Sequence, residues 1–131
     1  MPLKINTMEK KPGVFVVSLI GALDTHTHMQ LASRLDAIRH SSPGLIVLDL
    51  EYLDYISSIG ISSILKAGRA VKKHGGRVKL MNLQPQIRKV FEIINALPSQ
   101  QIFANAREMD QYLDRIQRKV GGAESETELP R

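Results

Sequence analysis

Residues Leu45 to Lys73 read LIVLDLEYLDYISSIGISSILKAGRAVKK. The opening run, Leu45–Leu50, is apolar, too short for a helix and without a 3.6-residue period, which predicts a buried strand. Glu51–Ser57 reads as a turn. From Ser57–Ser58 onward a helix is expected, because Ile61, Ile64, Leu65, Gly68 and Val71 recur at helical spacing and make one apolar stripe. Ser58, Ser62, Lys66, Arg69 and Lys73 fall on the opposite face. A serine therefore stands at a helix N-terminus just past a strand, with a basic ridge running away from it.

That placement has a chemical meaning. The first N–H groups of a helix have no partner inside it, and the helix dipole adds partial positive charge there. Such a position stabilises anions, phosphate in particular. A serine hydroxyl there either caps the helix or accepts a phosphoryl group without loss of the fold.

The segment LDLEYLDYISSIGISSILKAG resembles the signature of the STAS domain as found in anti-sigma factor antagonists. In that family a hydrophobic strand and a short turn lead to Asp-Ser-Ser/Thr-Gly, which opens a helix. The four positions here are Ser57, Ser58, Ile59 and Gly60, with Ser57 in place of the aspartate and Ile59 in place of the second hydroxyl residue. The resemblance puts the phosphorylatable serine at Ser58, with Ser57 as the alternative. A second match lies upstream, where Gly21-Ala22-Leu23-Asp24 resembles the Gly-x-Leu-Asp that leads into the family's first helix. Asp24 then reads either as a plain helix cap or as part of a partner-binding surface.

The resemblance implies an α/β fold, with a mixed sheet that opens with a hairpin and about four helices packed mainly on one face. It also implies a role in bacterial partner switching. The unphosphorylated protein would bind an anti-sigma factor that is also a serine kinase. Phosphorylation would release it, and a serine phosphatase would reset the switch. The expected partner-binding surface is Asp24, Ser57, Ser58, Ile59, Ser62, Lys66 and Arg69. The alternative is an adaptor without phosphorylation, such as a transporter-associated subunit. On either reading the chain is not an enzyme, takes no cofactor and works as a monomer.

Outward from this stretch, strands and helices alternate. Leu3 and Ile5 suggest a first strand, Lys11-Pro12-Gly13 a turn, and Val14–Ile20 a second strand, so the chain opens as a hairpin. Asp24-Thr25 can cap a helix reaching about His40, with Leu31, Leu35 and Ile38 inward. After the central strand and helix, Arg77–Asn82 reads as a strand around Val78 and Leu80. Pro85 suits the first position of the next helix, whose buried face is Ile87, Val90, Phe91 and Ile94, with Leu97-Pro98 as its end. Ile102-Phe103 is a short last strand. Ala106–Val120 is a last helix with Met109, Leu113, Ile116 and Val120 inward. Residues 1–120 thus form one domain, and the polar, acidic Gly121–Arg131 is expected to be a disordered tail.

Composition removes several classes of function. The chain has 131 residues and no cysteine, which excludes disulfides, thiolate metal sites and a thiol nucleophile. No apolar run approaches the ~20 residues of a membrane helix, and the N-terminal residues lack a signal-peptide core. A cytoplasmic protein without direct membrane contact is expected. The net charge of +5 raises nucleic acid as a partner. Lys and Arg are spread over every predicted helix, however, and three Phe and three Tyr do not interleave with them, so none is expected. His26 and His28 stand two apart, not at the i, i+4 spacing of helical zinc ligands, and no metal site is expected. Ser58 sits on a strand-to-helix turn, but its surroundings are Ile-Ser-Ser-Ile-Gly rather than the Gly-x-Ser-x-Gly of a hydrolase. The ridge of Lys66, Arg69 and Lys73 reads as a solvated face or as a dock for an acidic partner.

Overall fold

The computed structural model describes residues 2–94 and 102–126, with the backbone alone for 118–126. Gly13, at φ +80°, turns the chain between β1 (Leu3–Lys11) and β2 (Val14–Leu23), which pair antiparallel from Leu3↔Gly21 to Lys11↔Val14. Then follow α1 (His28–Arg39), β3 (Leu45–Ile56), α2 (Ser58–Lys73), β4 (Arg77–Met81), α3 (Pro85–Ile93), β5 (Ile102–Phe103) and α4 (Ala106–Glu126). The sheet order is β1-β2-β3-β4-β5, and every pair after the hairpin is parallel. The strands advance across the sheet in one direction. Successive right-handed crossovers must therefore place α1, α2 and α3 on the same face.

That face holds the larger core, with Leu19, Leu31, Ile46, Leu48, Ile61, Ile64 and Phe91 among its buried residues. Leu45 and Val47 point the other way and pack with Met81, Phe103, Met109 and Leu113 under α4. Burial on both faces explains why β3 opens as an unbroken apolar run instead of an alternating one. The mixed sheet, its opening hairpin and the helices mainly on one face match the expected α/β fold.

Four local features differ from the sequence expectations. First, the polar stretch after Leu50 is not a turn. β3 continues through it to Ile56, pairing Ile20↔Tyr52 and Leu23↔Ile56 with register shifts on the way. Of β3, only Leu45–Asp49 pairs with β4. Beyond that, the Gln84 side chain donates to the carbonyls of Glu51 (2.6 Å) and Leu53 (2.9 Å), so that edge of the strand is satisfied by a side chain. Second, α1 starts at His28 with Thr27 as its N-cap residue, not at Asp24-Thr25.

Third, two residues expected to be buried stand out from their helices: Ile94 is 39% exposed and Ile116 40%. Ile87, Phe91, Met109 and Leu113 already fill the space beneath. Fourth, α4 runs on past Val120 to Glu126, so the segment expected as a tail begins inside the helix. Ala123, Glu124 and Glu126 are good helix formers, and Gly121-Gly122 without a following proline is a weak stop. The Leu97-Pro98 helix end, the Val120 side chain and residues 127–131 lie outside the described residues.

Candidate functional site

β2, β3 and α2 meet at one corner, and the geometry there follows from Ser57 and Gly60. Ser57 is extended (φ −99°, ψ 169°), and its Oγ accepts from the Gly60 N–H at 3.3 Å, which caps α2. The Ser57 carbonyl receives the Ile61 N–H at 3.0 Å, and the Ser57 N–H donates to the Leu23 carbonyl at 2.9 Å. The start of α2 is thereby tied to the end of β2. Gly60 permits this approach: a Cβ there would lie 2.8 Å from the Leu23 carbonyl oxygen and 2.9 Å from Leu23 Cγ.

Ser58 is the first residue of α2 and is exposed. Its N–H and that of Ile59 are helix-terminal donors without intrahelical acceptors. The first turn carries no acidic side chain. Ser57 and Ser58 thus differ in role. One oxygen is engaged in holding the helix, while the other faces solvent at the positive end of the dipole.

Asp24 follows Leu23 and so sits beside the same corner. Its carboxylate accepts from the His26 N–H (2.9 Å) and the Thr27 N–H (3.1 Å), closing an Asx turn ahead of α1. The His26 N–H is the main cause holding the Asp24 carboxyl below its ordinary value, with Thr27 adding to it against partial desolvation. Thr27 Oγ1 donates to the Ala22 carbonyl at 2.8 Å and receives the Asp24 N–H at 2.9 Å. The Asp24 side chain is therefore spent on the loop that carries it.

The remaining candidates lie along α2. Ile59, Ser62 and Lys66 line one wall of a groove of about 620 Å³ between α1 and α2. The other wall comes from α1, notably Met29, Ala32, Ser33, Asp36 and Arg39. Near one end the two helices are bridged by His28 Nδ1 and Ser63 Oγ, 3.2 Å apart. Arg69 is exposed on α2 but does not line the groove. The structure thus gathers Asp24, Ser57 and Ser58 at the corner, sets Ile59, Ser62 and Lys66 along the groove, and leaves Arg69 apart. Sequence reasoning did not identify the α1 wall. Its signal was Met29, Ala32, Ser33 and Asp36, spaced i, i+3, i+4 and i+7 as a second stripe beside the buried Leu31, Leu35 and Ile38.

The sequence profile of the STAS domain matches residues 6–109. The chain belongs to the STAS domain family. Among its relatives is BtrV of Bordetella bronchiseptica, assigned as an anti-sigma factor antagonist. It is 35% identical over 102 residues, 78% of this chain and 87% of that protein. An anti-sigma F factor antagonist of Lysinibacillus sphaericus is 32% identical over 108 residues, 82% of this chain and 89% of that protein. Unphosphorylated SpoIIAA, an anti-sigma factor antagonist of Bacillus, shares the fold with a TM-score of 0.72 at 23% identity. That match covers 87% of this chain and 96% of SpoIIAA. In this STAS domain Ser57, standing where the family has aspartate, does the capping work, since the two residue types rank alike at an N-cap. Among the described residues no helix is long and apolar enough to cross a membrane, and no group of three His, Cys, Asp or Glu side chains is placed to hold a metal ion.

Proposed function

We propose that this STAS domain is an anti-sigma factor antagonist that is switched by phosphorylation of Ser58. The observation that carries this is the division of labour between the serines: Ser57 Oγ caps α2, whereas Ser58 is exposed at its first position. A phosphate at Ser58 leaves the cap in place and lies next to free helix N–H groups. The relatives of 35% and 32% identity, named for antagonism of anti-sigma factors, support the choice of partner.

In this reading the unphosphorylated protein, as a monomer, docks the corner of Asp24, Ser57 and Ser58 and the adjoining face of α2 onto an anti-sigma factor with serine kinase activity. Transfer of a phosphoryl group to Ser58 adds about −1.5 to −2 charges and three acceptor oxygens at the contact. The new charge repels acidic groups of the partner and keeps its own water. A loss of ~3–4 kcal/mol weakens the complex a few hundredfold and releases the anti-sigma factor. A serine phosphatase restores the first state. The protein acts as substrate and binding partner, and catalysis belongs to the kinase.

The test is peptide mass spectrometry of the protein from its own host under growth and stress, combined with titration against the anti-sigma factor. One phosphate on Ser58, varying with condition, together with affinity lost in Ser58→Asp, is the expected result. Phosphate on Ser57 would transfer the switch to the cap residue. Absence of phosphate in all conditions, with the phosphatase blocked, would replace the switch by a constitutive adaptor.

A further inference from the structure

The groove between α1 and α2 is more than the edge of the corner that carries Ser58. We infer that it is the seat of an acidic amphipathic helix contributed by the anti-sigma factor, an inference that rests on the function proposed above. Three properties of the groove carry it.

The first is shape. Ala32 and Ser33 on α1 face Ser63 and Ala67 on α2, and these small side chains leave a valley open between two packed helices. The walls run from Met29 to Arg39 and from Ile59 to Ala70, which at 1.5 Å per residue is about 15 Å, or nearly three turns of a helix. Both walls are helices, whose backbone groups are bonded internally. The groove therefore offers no edge for an added strand and receives side chains instead.

The second is polarity. Met29 is 67% exposed and Ile59 38% exposed, and both stand at the end nearest Ser58. They offer contacts to apolar anchors spaced i, i+4 and i+7 on an incoming helix. The third is charge. From Ser58 to Lys73, α2 carries Lys66, Arg69, Lys72 and Lys73 and no acidic residue. Arg39 stands on the α1 wall, ion-paired with Asp36. Of the α2 cations only Lys66 lines the groove, while Arg69, Lys72 and Lys73 continue the positive surface of α2 beyond its rim. A helix seated in the groove meets Lys66 directly, and acidic flanks match the cationic face past the rim.

The same geometry couples the groove to the switch. Ser58 immediately precedes Ile59, so a phosphate on Ser58 places its charge at the mouth of the groove, against an acidic occupant. Release then needs no rearrangement of the fold.

The experiment uses the full chain and the host's anti-sigma factor, with affinity measured calorimetrically at several salt concentrations. Ala32→Trp fills the valley, and Lys66→Glu reverses the charge on its wall. Both positions are exposed on helices, so the fold should survive, and thermal unfolding checks that it does. Each substitution is expected to weaken binding at least about tenfold, and Lys66→Glu also to flatten the salt dependence. Affinity within about twofold of wild type for both variants, with binding still lost in Ser58→Asp, would overturn the groove as the seat and leave the phosphorylation switch standing. An effect of Ala32→Trp alone would overturn the acidic character of the occupant. Wild-type protein that fails to bind the anti-sigma factor would remove the function on which this inference rests, and the inference with it.

Discussion

Two helices begin at the same end of the sheet, and they begin differently. α2 starts one residue after β3, pressed against the end of β2, capped by Ser57 and without an acidic side chain in its first turn. α1 starts after a four-residue turn that Asp24 and Thr27 fill with their own hydrogen bonds. A carboxylate therefore already lies ahead of α1, while at the start of α2 only the Gly60 N–H is capped, by Ser57 Oγ, and Ser58 is exposed with no acidic side chain in its turn. The dipole favours an anion at both places. Of the two, only α2 begins without a carboxylate of its own. The contrast explains why, of two neighbouring helix starts, the second is the one suited to a reversible phosphate.

The contrast depends most on Gly60. Its missing Cβ lets α2 begin against the carbonyl of Leu23, a backbone atom that cannot swing aside. Gly60→Ala is expected to destabilise the protein by ~2–3 kcal/mol, as overpacking of a filled core does. Urea unfolding checks this. The ordinary preference of a helix interior for alanine runs the other way by about 1 kcal/mol. The two effects thus predict opposite signs, and a stabilised variant would mean that α2 is not held against β2.

Much of this was legible in the sequence. The strand-turn-serine-glycine-helix order and the Gly21–Asp24 match located the corner, because each needs a specific residue at a specific spacing. What misled was exposure. Glu51, Tyr52, Asp54 and Tyr55 are solvent-facing, and Leu50, Leu53 and Ile56 are buried at every third position because the pairing with β2 shifts register. The second half of β3 therefore lacks a strand's alternation and read as a turn, although its tyrosines and Ile56 are residue types that suit a strand. Lys79 is the opposite case. On a strand read as having one apolar face, it should point to water, yet α4 covers that side and the residue is 8% exposed. Its ammonium lies 5.0 Å from the Tyr112 ring centroid, and burial, with Arg77 adding to it, lowers its pKa. A second covering layer cannot be read from one strand's pattern. The groove escaped for a related reason: Leu31, Leu35 and Ile38 accounted for α1, and the stripe beside them, Met29, Ala32, Ser33 and Asp36, mixes apolar and polar residues and so does not stand out as a hydrophobic face.

At the start of α1 the next largest effect is expected from Thr27. Its hydroxyl is buried between the Ala22 carbonyl and the Asp24 N–H. Thr27→Val keeps the shape and leaves both groups without this partner, a loss of ~2 kcal/mol. Thr27→Ser restores the hydroxyl and should recover most of it. Unfolding curves of the pair separate the hydrogen bonds from the packing of the methyl group. If valine and serine behave alike, the turn is held by shape, and the polar plug ahead of α1 has no energetic weight.

The smallest effect tests the charge itself. The Asp24 carboxyl is held below its ordinary value of 3.8, chiefly by the His26 N–H. A group whose folded pKa is depressed contributes stability that is fully present above its unfolded pKa and fades as the pH falls through the folded one. Asp24→Asn keeps an acceptor oxygen but carries no charge. The melting temperature of wild type should exceed that of Asp24→Asn at neutral pH, by a modest margin because the turn is near the surface. The two should begin to converge as the pH drops below about 4, the unfolded value, and the difference should be lost as the pH falls on through the lowered pKa of the folded state. Convergence would show that α1 draws on a built-in anion, the counterpart of the phosphate proposed for Ser58 at α2. A gap that persisted unchanged to about pH 3 would place the contribution of Asp24 in the geometry of its turn. The difference between the two helix starts would then rest on Thr27 and Gly60 alone.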